Sequence, residues 1–353
     1  RPYYLQAMRA YAAGSASIEE IDALMRGAGF RMGPFELMDL IGLDVNLATS
    51  QSVYEQTEAD RLAPSPLQRE LVENGNLGRK TKRGFYDYEN GPPQHDDSPP
   101  EAPVEVDDVE TIAVVGGGVG EEFADLLSRA YRNVIAMESE EVFEELASDA
   151  TVAIDVGDGA NDRREFLLEL DRVLSPESII FADAYATDLA ALASRMKHPE
   201  RLVGYGVLAS LADQRVVEIV DLETTSDDAL ELAQELFGAI GKNVLLVEDG
   251  PALVAGRIVG SIVNEAVYVV QDHIATADDV DLAMTLGTNY PKGPIAWGRA
   301  IGGDRIRRIL TRLAGAEGAE FGPHRALWVL DAVEEAPGEE FPESSAGGPI
   351  DAA

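Results

Sequence analysis

Two stretches of this chain, 259 residues apart, follow one pattern. Ile18-Glu19-Glu20-Ile21-Asp22-Ala23-Leu24-Met25 parallels Ala277-Asp278-Asp279-Val280-Asp281-Leu282-Ala283-Met284, and after one inserted residue Met32-Gly33-Pro34 parallels Lys292-Gly293-Pro294. Solenoid repeats recur every 20–50 residues or so, so this spacing marks two copies of one domain bracketing something different. The copies are helical by periodicity: apolar residues recur at helical spacing over 3–12 and 17–26, the second run following Ser17 with Glu19 and Glu20 in its first turn. Helices are predicted to dominate to about residue 75 and again from 251 to about 332.

Between the copies the period changes. Short β-branched runs at 111–115, 134–137, 152–154, 179–181, 201–204, 216–220 and 244–247 alternate with helical patterns near 121–130, 163–173 and 226–240. That alternation predicts a parallel sheet with crossover helices. The fold class is thus multidomain, α + α/β: a helical domain over 1–89, a linker over 90–108 rich in proline and acid, an α/β domain over 109–250, a second helical domain over 251–333, and a disordered tail over 334–353. The chain opens on Arg1 and runs straight into a helical pattern without a cap, which predicts truncation at its N-terminus.

Charge narrows the partners. The 353 residues carry 64 acidic and 28 basic side chains, a net charge of −36, with only five lysines, at 80, 82, 197, 242 and 292. Such a chain repels phosphate backbones and anionic lipid, so neither nucleic acid nor membrane is an expected partner. Acid spread along the whole length self-repels unless salt screens it, which predicts a halophilic protein. Zero cysteine removes disulfides and thiolate chemistry, and with no signal peptide or apolar run of membrane length, a cytoplasmic location is expected.

Gly116-Gly117-Gly118-Val119-Gly120 follows a strand pattern and opens a helix, and Glu138 ends the next strand, the layout of a dinucleotide fold. The third glycine comes one residue early for G-x-G-x-x-G, and Glu121 and Glu122 in the first turn oppose an incoming phosphate. Gly116, Gly118, Gly120 and Glu138 are therefore read as a vestigial cofactor site. His95, His198, His273 and His324 lack metal-ligand spacing, so no metal site is expected. The basic island Arg79-Lys80-Thr81-Lys82-Arg83 either meets an anionic group such as a coenzyme A phosphate or closes ion pairs to acidic neighbours; the second reading is preferred.

Met32-Gly33-Pro34-Phe35-Glu36-Leu37 with Asp39-Leu40-Ile41-Gly42-Leu43-Asp44, then Leu77-Gly78-Arg79-Lys80-Thr81 and Gly84-Phe85-Tyr86-Asp87-Tyr88, resemble the C-terminal helical domain of 3-hydroxyacyl-CoA dehydrogenases. Asn289-Tyr290-Pro291-Lys292-Gly293-Pro294-Ile295-Ala296-Trp297 resembles the second such domain of the long-form 3-hydroxybutyryl/3-hydroxyadipyl-CoA dehydrogenases, which carry a reduced Rossmann-like domain between the two. The resemblance spans residues 1 to about 332. It implies an NAD-dependent oxidoreductase that converts 3-hydroxyacyl-CoA to 3-oxoacyl-CoA in fatty-acid (β-oxidation) or aromatic-acid catabolism. It also implies that the two helical domains pair within the chain, a homo-oligomer being open as well, and the turn from Phe30 to Asp39 and the segment from Leu77 to Tyr88 are expected at that interface.

The α/β domain departs from the family pattern. Where the family has G-x-H-F-F-N-P, this chain has Gly204-Tyr205-Gly206-Val207-Leu208-Ala209-Ser210, placing Gly206 at the histidine position; Glu218 matches the glutamate that orients that histidine. The S-N-T-S-S run becomes Ala182-Asp183-Ala184-Tyr185-Ala186, and the asparagine of P-G-F-I-V-N-R becomes Gly256. A carboxylate without its imidazole is no hydroxyl base, so Glu218 is read as vestigial and no catalytic residue is expected in this chain. NAD and the catalytic histidine are then expected in a domain missing upstream of residue 1, with no cofactor firmly expected here. Two other readings stay open: a non-enzymatic CoA- or nucleotide-binding or dimerisation scaffold complete as written, and a cryptic enzyme using Tyr185 or Glu218 as acid or base.

Overall fold

The computed structural model describes residues 1–95, 98, 109–116, 118–137, 150–156, 163–208 and 210–331. The first helical copy comprises α1 (Pro2–Ala12), α2 (Ile18–Gly27), α3 (Pro34–Ile41), α4 (Leu43–Thr57) and α5 (Pro66–Glu73). Ser17 starts α2 with a capping box, its hydroxyl accepting from Glu20 N while Glu20 Oε2 takes Ser17 N at 2.8 Å. The turn into α3 is built on Asp22, whose carboxylate accepts from Phe35 N and Glu36 N, both at 2.9 Å. Any Cβ at residue 33 would overlap that carboxylate, which is why glycine precedes Pro34. Burial pushes the Asp22 carboxyl up to about 7, against the three hydrogen bonds it accepts, the third from Tyr86 Oη.

The α/β unit runs β1 (Ile112–Val115), α6 (Gly118–Leu127), β2 (Val134–Met137), β3 (Val152–Asp155), α7 (Arg163–Val173), β4 (Ile179–Asp183), α8 (Leu189–Ala193), β5 (Leu202–Gly206), β6 (Val216–Val220), α9 (Asp227–Ala239) and β7 (Asn243–Val247). All seven predicted strands form, in the order β2-β1-β3-β4-β5-β6-β7, parallel except for the β5–β6 pair. The chain leaves β1 toward β2 and returns to its other side as β3, a topological switch point. Alternation sorts the core: Ile112 and Val114 join Phe123, Phe181, Tyr205 and Phe237 on one sheet face, while Ala113 and Val115 join Leu167, Ile180 and the helical copies on the other. Helix α6 begins three residues before the predicted 121, inside the glycine run. Gly117 and Glu138 lie outside the described residues, as do the predicted tail over 334–353 and most of the linker.

The second copy is α10 (Ala255–Gln271), α11 (Ala277–Thr288), α12 (Pro294–Ile301) and α13 (Gly303–Glu317). It repeats the local chemistry of the first. Thr276 caps α11, Asp281 accepts from Ile295 N at 2.7 Å and Ala296 N at 2.8 Å, and a Cβ on Gly293 would overlap Asp281. Gly302 turns into α13 with φ 94° as Gly42 turns into α4 with φ 100°. Among the described residues no helix is long and apolar enough to cross a membrane.

The copies pack on each other, α1 along α10. Arg61 grips Glu265 with two nitrogens, at 2.5 and 3.4 Å, and buried Arg257 donates to Gln6 at 3.2 Å and pairs with Glu317. Phe30 crosses the boundary to Tyr290 and Trp297, ring centroids 5.1 and 5.8 Å away. The rest of the expected interface turns inward instead. Phe35 meets Tyr11 and Phe85 of its own copy, and the 77–88 segment closes over Asp39, which accepts from Phe85 N, Tyr86 N and Tyr88 Oη at 3.0 Å each. A buried carboxylate needs donors, and this segment supplies them.

Candidate functional site

The family-pattern positions converge where β5, β6, the loop after β4 and the first turn of α10 meet. Gly206 and Glu218 face each other across the antiparallel β5–β6 ladder. Glu218 is fully buried; its Oε1 accepts from Val254 N at 2.7 Å, the Ala255 amide lies at 3.3–3.4 Å from both oxygens, and Oε2 accepts from Tyr185 Oη at 2.5 Å. Tyr185, equally buried, lies where a larger residue at 206 or 256 would have to go. A Cβ on Gly206 would stand 2.5 Å from Tyr185 Cε1, and one on Gly256 would stand 2.8 Å from Cδ1. Both are far inside van der Waals contact, so a histidine at 206 or an asparagine at 256 and a tyrosine at 185 exclude one another. The three departures seen in the sequence are one packing solution: a phenol replaces two polar side chains and its hydroxyl serves the carboxylate they left behind.

The charges beside it are closed as well. Asp183, with no exposed surface, receives Arg305 Nε and Nη2 at 2.8 Å each, the planar fork that suits a buried guanidinium–carboxylate pair. Arg305 also lies over the Tyr185 ring, 5.3 Å from its centroid. Asp155, at the end of β3, pairs with buried Arg163. Burial raises the Glu218 carboxyl to about 7, against the hydrogen bonds from Tyr185 and the two α10 amides. Burial and then the Glu218 charge drive the Tyr185 phenol well above its ordinary value, so it is a fixed donor near neutrality. Burial opposes the Arg305 charge, but Asp183 outweighs it and the guanidinium pKa is raised.

The glycine loop lies at the switch point, where open α/β sheets bind their ligands. Gly118 and Gly120 stand in the first turn of α6, and Gly116, with φ 149°, follows β1. Among the described residues, a Cβ on Gly120 would find its nearest neighbour at 3.7 Å, ordinary contact. Glu121 and Glu122 are exposed on that turn. The space between this turn and the sheet, bounded by Phe123, Val156, Tyr205 and Arg305, amounts to about 20 Å³. Tyr205 Oη, bonded to Asp155 O at 2.8 Å, closes its floor.

The structure thus brings together Glu218, Gly206, Gly256 and Tyr185, and sets Gly116, Gly118 and Gly120 apart from them at the β1–α6 turn. The histidines lie elsewhere: His95 against Glu36, His198 with Glu200 at 3.2 Å, His324 beside Tyr268, and His273 just past the end of α10. Among the described residues no group of three or more acids and histidines is placed to hold a metal ion. In the basic island Lys80 pairs with Asp44 at 2.5 Å and Lys82 with Glu89 at 3.7 Å. Arg305 had no signal in the sequence, because its partner Asp183 comes from across the fold.

Models of known families match along most of the chain. The C-terminal domain of 3-hydroxyacyl-CoA dehydrogenase matches residues 1–88 and 253–339, and the NAD binding domain of the same enzymes matches 143–250. The chain is 33% identical over 323 residues to the 3-hydroxyadipyl-CoA dehydrogenase of Escherichia coli K12, covering 91% of this chain and 55% of that protein. It is 31% identical over 151 residues to the 3-hydroxybutyryl-CoA dehydrogenase of Bradyrhizobium diazoefficiens, covering 43% of this chain and 52% of that one. The crystal structure of an E. coli K12 3-hydroxybutyryl-CoA dehydrogenase superposes with a TM-score of 0.66 at 31% identity, over 93% of this chain and 57% of that one. The chain spans about half the length of these relatives. An NAD-binding-domain match lies within it, which corrects the expectation that tied the cofactor only to a segment outside it.

Proposed function

The chain belongs to the 3-hydroxyacyl-CoA dehydrogenase family, and from that premise we propose that it is the helical framework of an NAD-dependent dehydrogenase that oxidises the 3-hydroxyl of an acyl-CoA to a ketone. Hydride transfer in this reading takes place on a dinucleotide-binding unit other than residues 109–250, which serve as a brace between the two helical copies. The observation that carries the division of labour is Tyr185. A base that takes the hydroxyl proton has to reach it within hydrogen-bond distance; here the base position is Gly206 and the space in front of it is filled by a phenol bonded to Glu218.

In this reading the described residues of the α/β unit do not hold the cofactor, although the NAD-binding-domain match covers 143–250. The nicotinamide end would meet the Asp183–Arg305 pair and Tyr185, and the pyrophosphate end would meet Glu121 and Glu122. In this reading the unit contributes no reacting group. Its contribution is positional: Glu218 pins the first turn of α10, and Asp183 holds α13 through Arg305.

The test is acetoacetyl-CoA-dependent oxidation of NADH, followed by absorbance. Expected is no turnover by the chain alone. Turnover is expected when the part of the E. coli relative that this chain does not match is joined ahead of Arg1, and it should persist in Glu218→Gln. Turnover by the chain alone that disappears in Glu218→Gln would overturn the reading and favour a live central site.

A further inference from the structure

The segment that joins the α/β unit to the second copy, between β7 and α10, carries backbone strain. Among the described residues six that are not glycine have positive φ. Glu58, Lys82, His273 and Asn289 stand singly and exposed, where water and the local chain can adjust. Ala252, with φ 61°, and Leu253, with φ 49°, are adjacent, and their exposures are 0% and 1%. In the left-handed region the Cβ of an L-residue crowds the following carbonyl oxygen, so single residues visit it and consecutive ones rarely do. A buried strained pair persists only where its surroundings over-determine it.

Those surroundings can be named. Before the pair, Leu253 N donates to Gly250 O at 3.3 Å, and burial raises the Asp249 carboxyl against the Arg312 charge of α13. After it, the next two amides, Val254 N and Ala255 N, both donate to Glu218, and Arg257 N reaches back to Ala252 O at 3.2 Å. Leu253 Cδ1 lies 3.0 Å from where a Cβ on Gly206 would stand, so this backbone sets the Leu253 side chain against the slot that Tyr185 fills. Glu218 is thus the group on the sheet that holds the far end of the strained turn. The ionisable side chain in contact with it is Tyr185, with Asp183 of β4 and Arg305 of α13 paired behind that phenol. Its ladder neighbours are Gly206 on β5 and Leu245 on β7, and Arg257 of α10 turns away to Gln6 and Glu317.

We propose that residues 249–255 form a proton-sensitive hinge: the Glu218 carboxyl holds the left-handed pair, and ionising it favours local release of the first turn of α10 from the sheet. The inference stands on the geometry of this turn and goes beyond the proposed function, since it does not depend on where hydride transfer takes place. The sign follows from burial. Closed, the carboxyl is raised to about 7, against 4.5 when hydrated. The closed hinge therefore keeps a proton that the open one gives up, so it is favoured most below pH 4.5 and loses that advantage as pH rises to 7. With these two values the opening constant grows about tenfold from pH 6 to pH 8. Release also frees the backbone of Ala252 and Leu253 from the left-handed region.

Hydrogen exchange of the purified chain in multimolar salt, read by mass spectrometry as protection factors that correct for intrinsic exchange at each pH, measures the opening. Segment 249–256 is compared with β4, whose exchange reports global unfolding. Expected is a larger opening constant for 249–256 than for β4, rising about tenfold from pH 6 to pH 8. Glu218→Gln keeps an acceptor for the α10 amides and should cut that rise to less than about twofold. Ala252→Gly removes strain and should lower the opening at least about threefold at both pH values. Opening of 249–256 equal to that of β4, a wild-type rise of less than about twofold, or an Ala252→Gly chain that opens as readily as wild type would overturn the hinge. A wild-type rise retained in Glu218→Gln would overturn the role of Glu218. If circular dichroism shows Glu218→Gln unfolded, the wild-type and Ala252→Gly results decide.

Discussion

Replacing Tyr185 with Phe removes one oxygen from the centre of the α/β unit and leaves the ring where it is. Glu218 then loses its 2.5 Å donor while keeping the α10 amides. A hydrogen bond to a charged group contributes about 1.5–3 kcal/mol and one to a neutral group about 1 kcal/mol, so the cost depends on the charge of Glu218. Its folded pKa is raised to about 7 from 4.5, so between these values the folded protein binds a proton the unfolded chain does not. The group's contribution is fully present below pH 4.5 and falls by about 3 kcal/mol as pH rises to 7. Losing the phenol raises that pKa further and extends the fall to higher pH. Expected from urea unfolding in concentrated salt is a Tyr185→Phe destabilisation of ~1 kcal/mol near pH 5, growing to ~2–3 kcal/mol near pH 8. A difference below ~0.5 kcal/mol, or one that does not change with pH, would refute the reasoning.

Gly206→Ala should cost ~1–3 kcal/mol, chiefly by overlapping Tyr185, and clearly less in a Tyr185→Ala background, where only Leu253 crowds it; a double-mutant cycle from urea melts shows whether the two positions couple. Arg305→Ala leaves Asp183 buried and unpaired and should lose ~3–5 kcal/mol, whereas Asp183→Asn with Arg305→Met should recover much of that, read by the same melts. With a net charge of −36, the melting temperature should drop from ~2 M potassium chloride to dilute buffer; an unchanged value would remove the halophilic reading.

The strands and the repeated helices were legible because each rests on local signals: β-branched runs, caps at Ser17 and Thr276, and an aspartate under each Gly-Pro turn. The predicted reach of the interface was too broad because Phe30 and Phe35, five residues apart, look alike in sequence and point into different cores. At the site, Gly206 and Gly256 read as losses one at a time. Only in space do they become the two walls of a slot for Tyr185, since 185, 206, 218 and 256 come from separate elements. The Asp183–Arg305 pair joins residues 122 positions apart, and nothing in the surrounding sequence marks Arg305 as its partner.

The most direct test of a filled central site is titration of NADH into the purified chain in multimolar salt, with circular dichroism to confirm folding. Expected is no saturable change in NADH fluorescence for the chain, and none for Tyr185→Phe, whose ring still occupies the slot. Saturable binding by the folded wild-type chain would contradict the claim that Tyr185 and the Asp183–Arg305 pair occupy the site a nicotinamide would need.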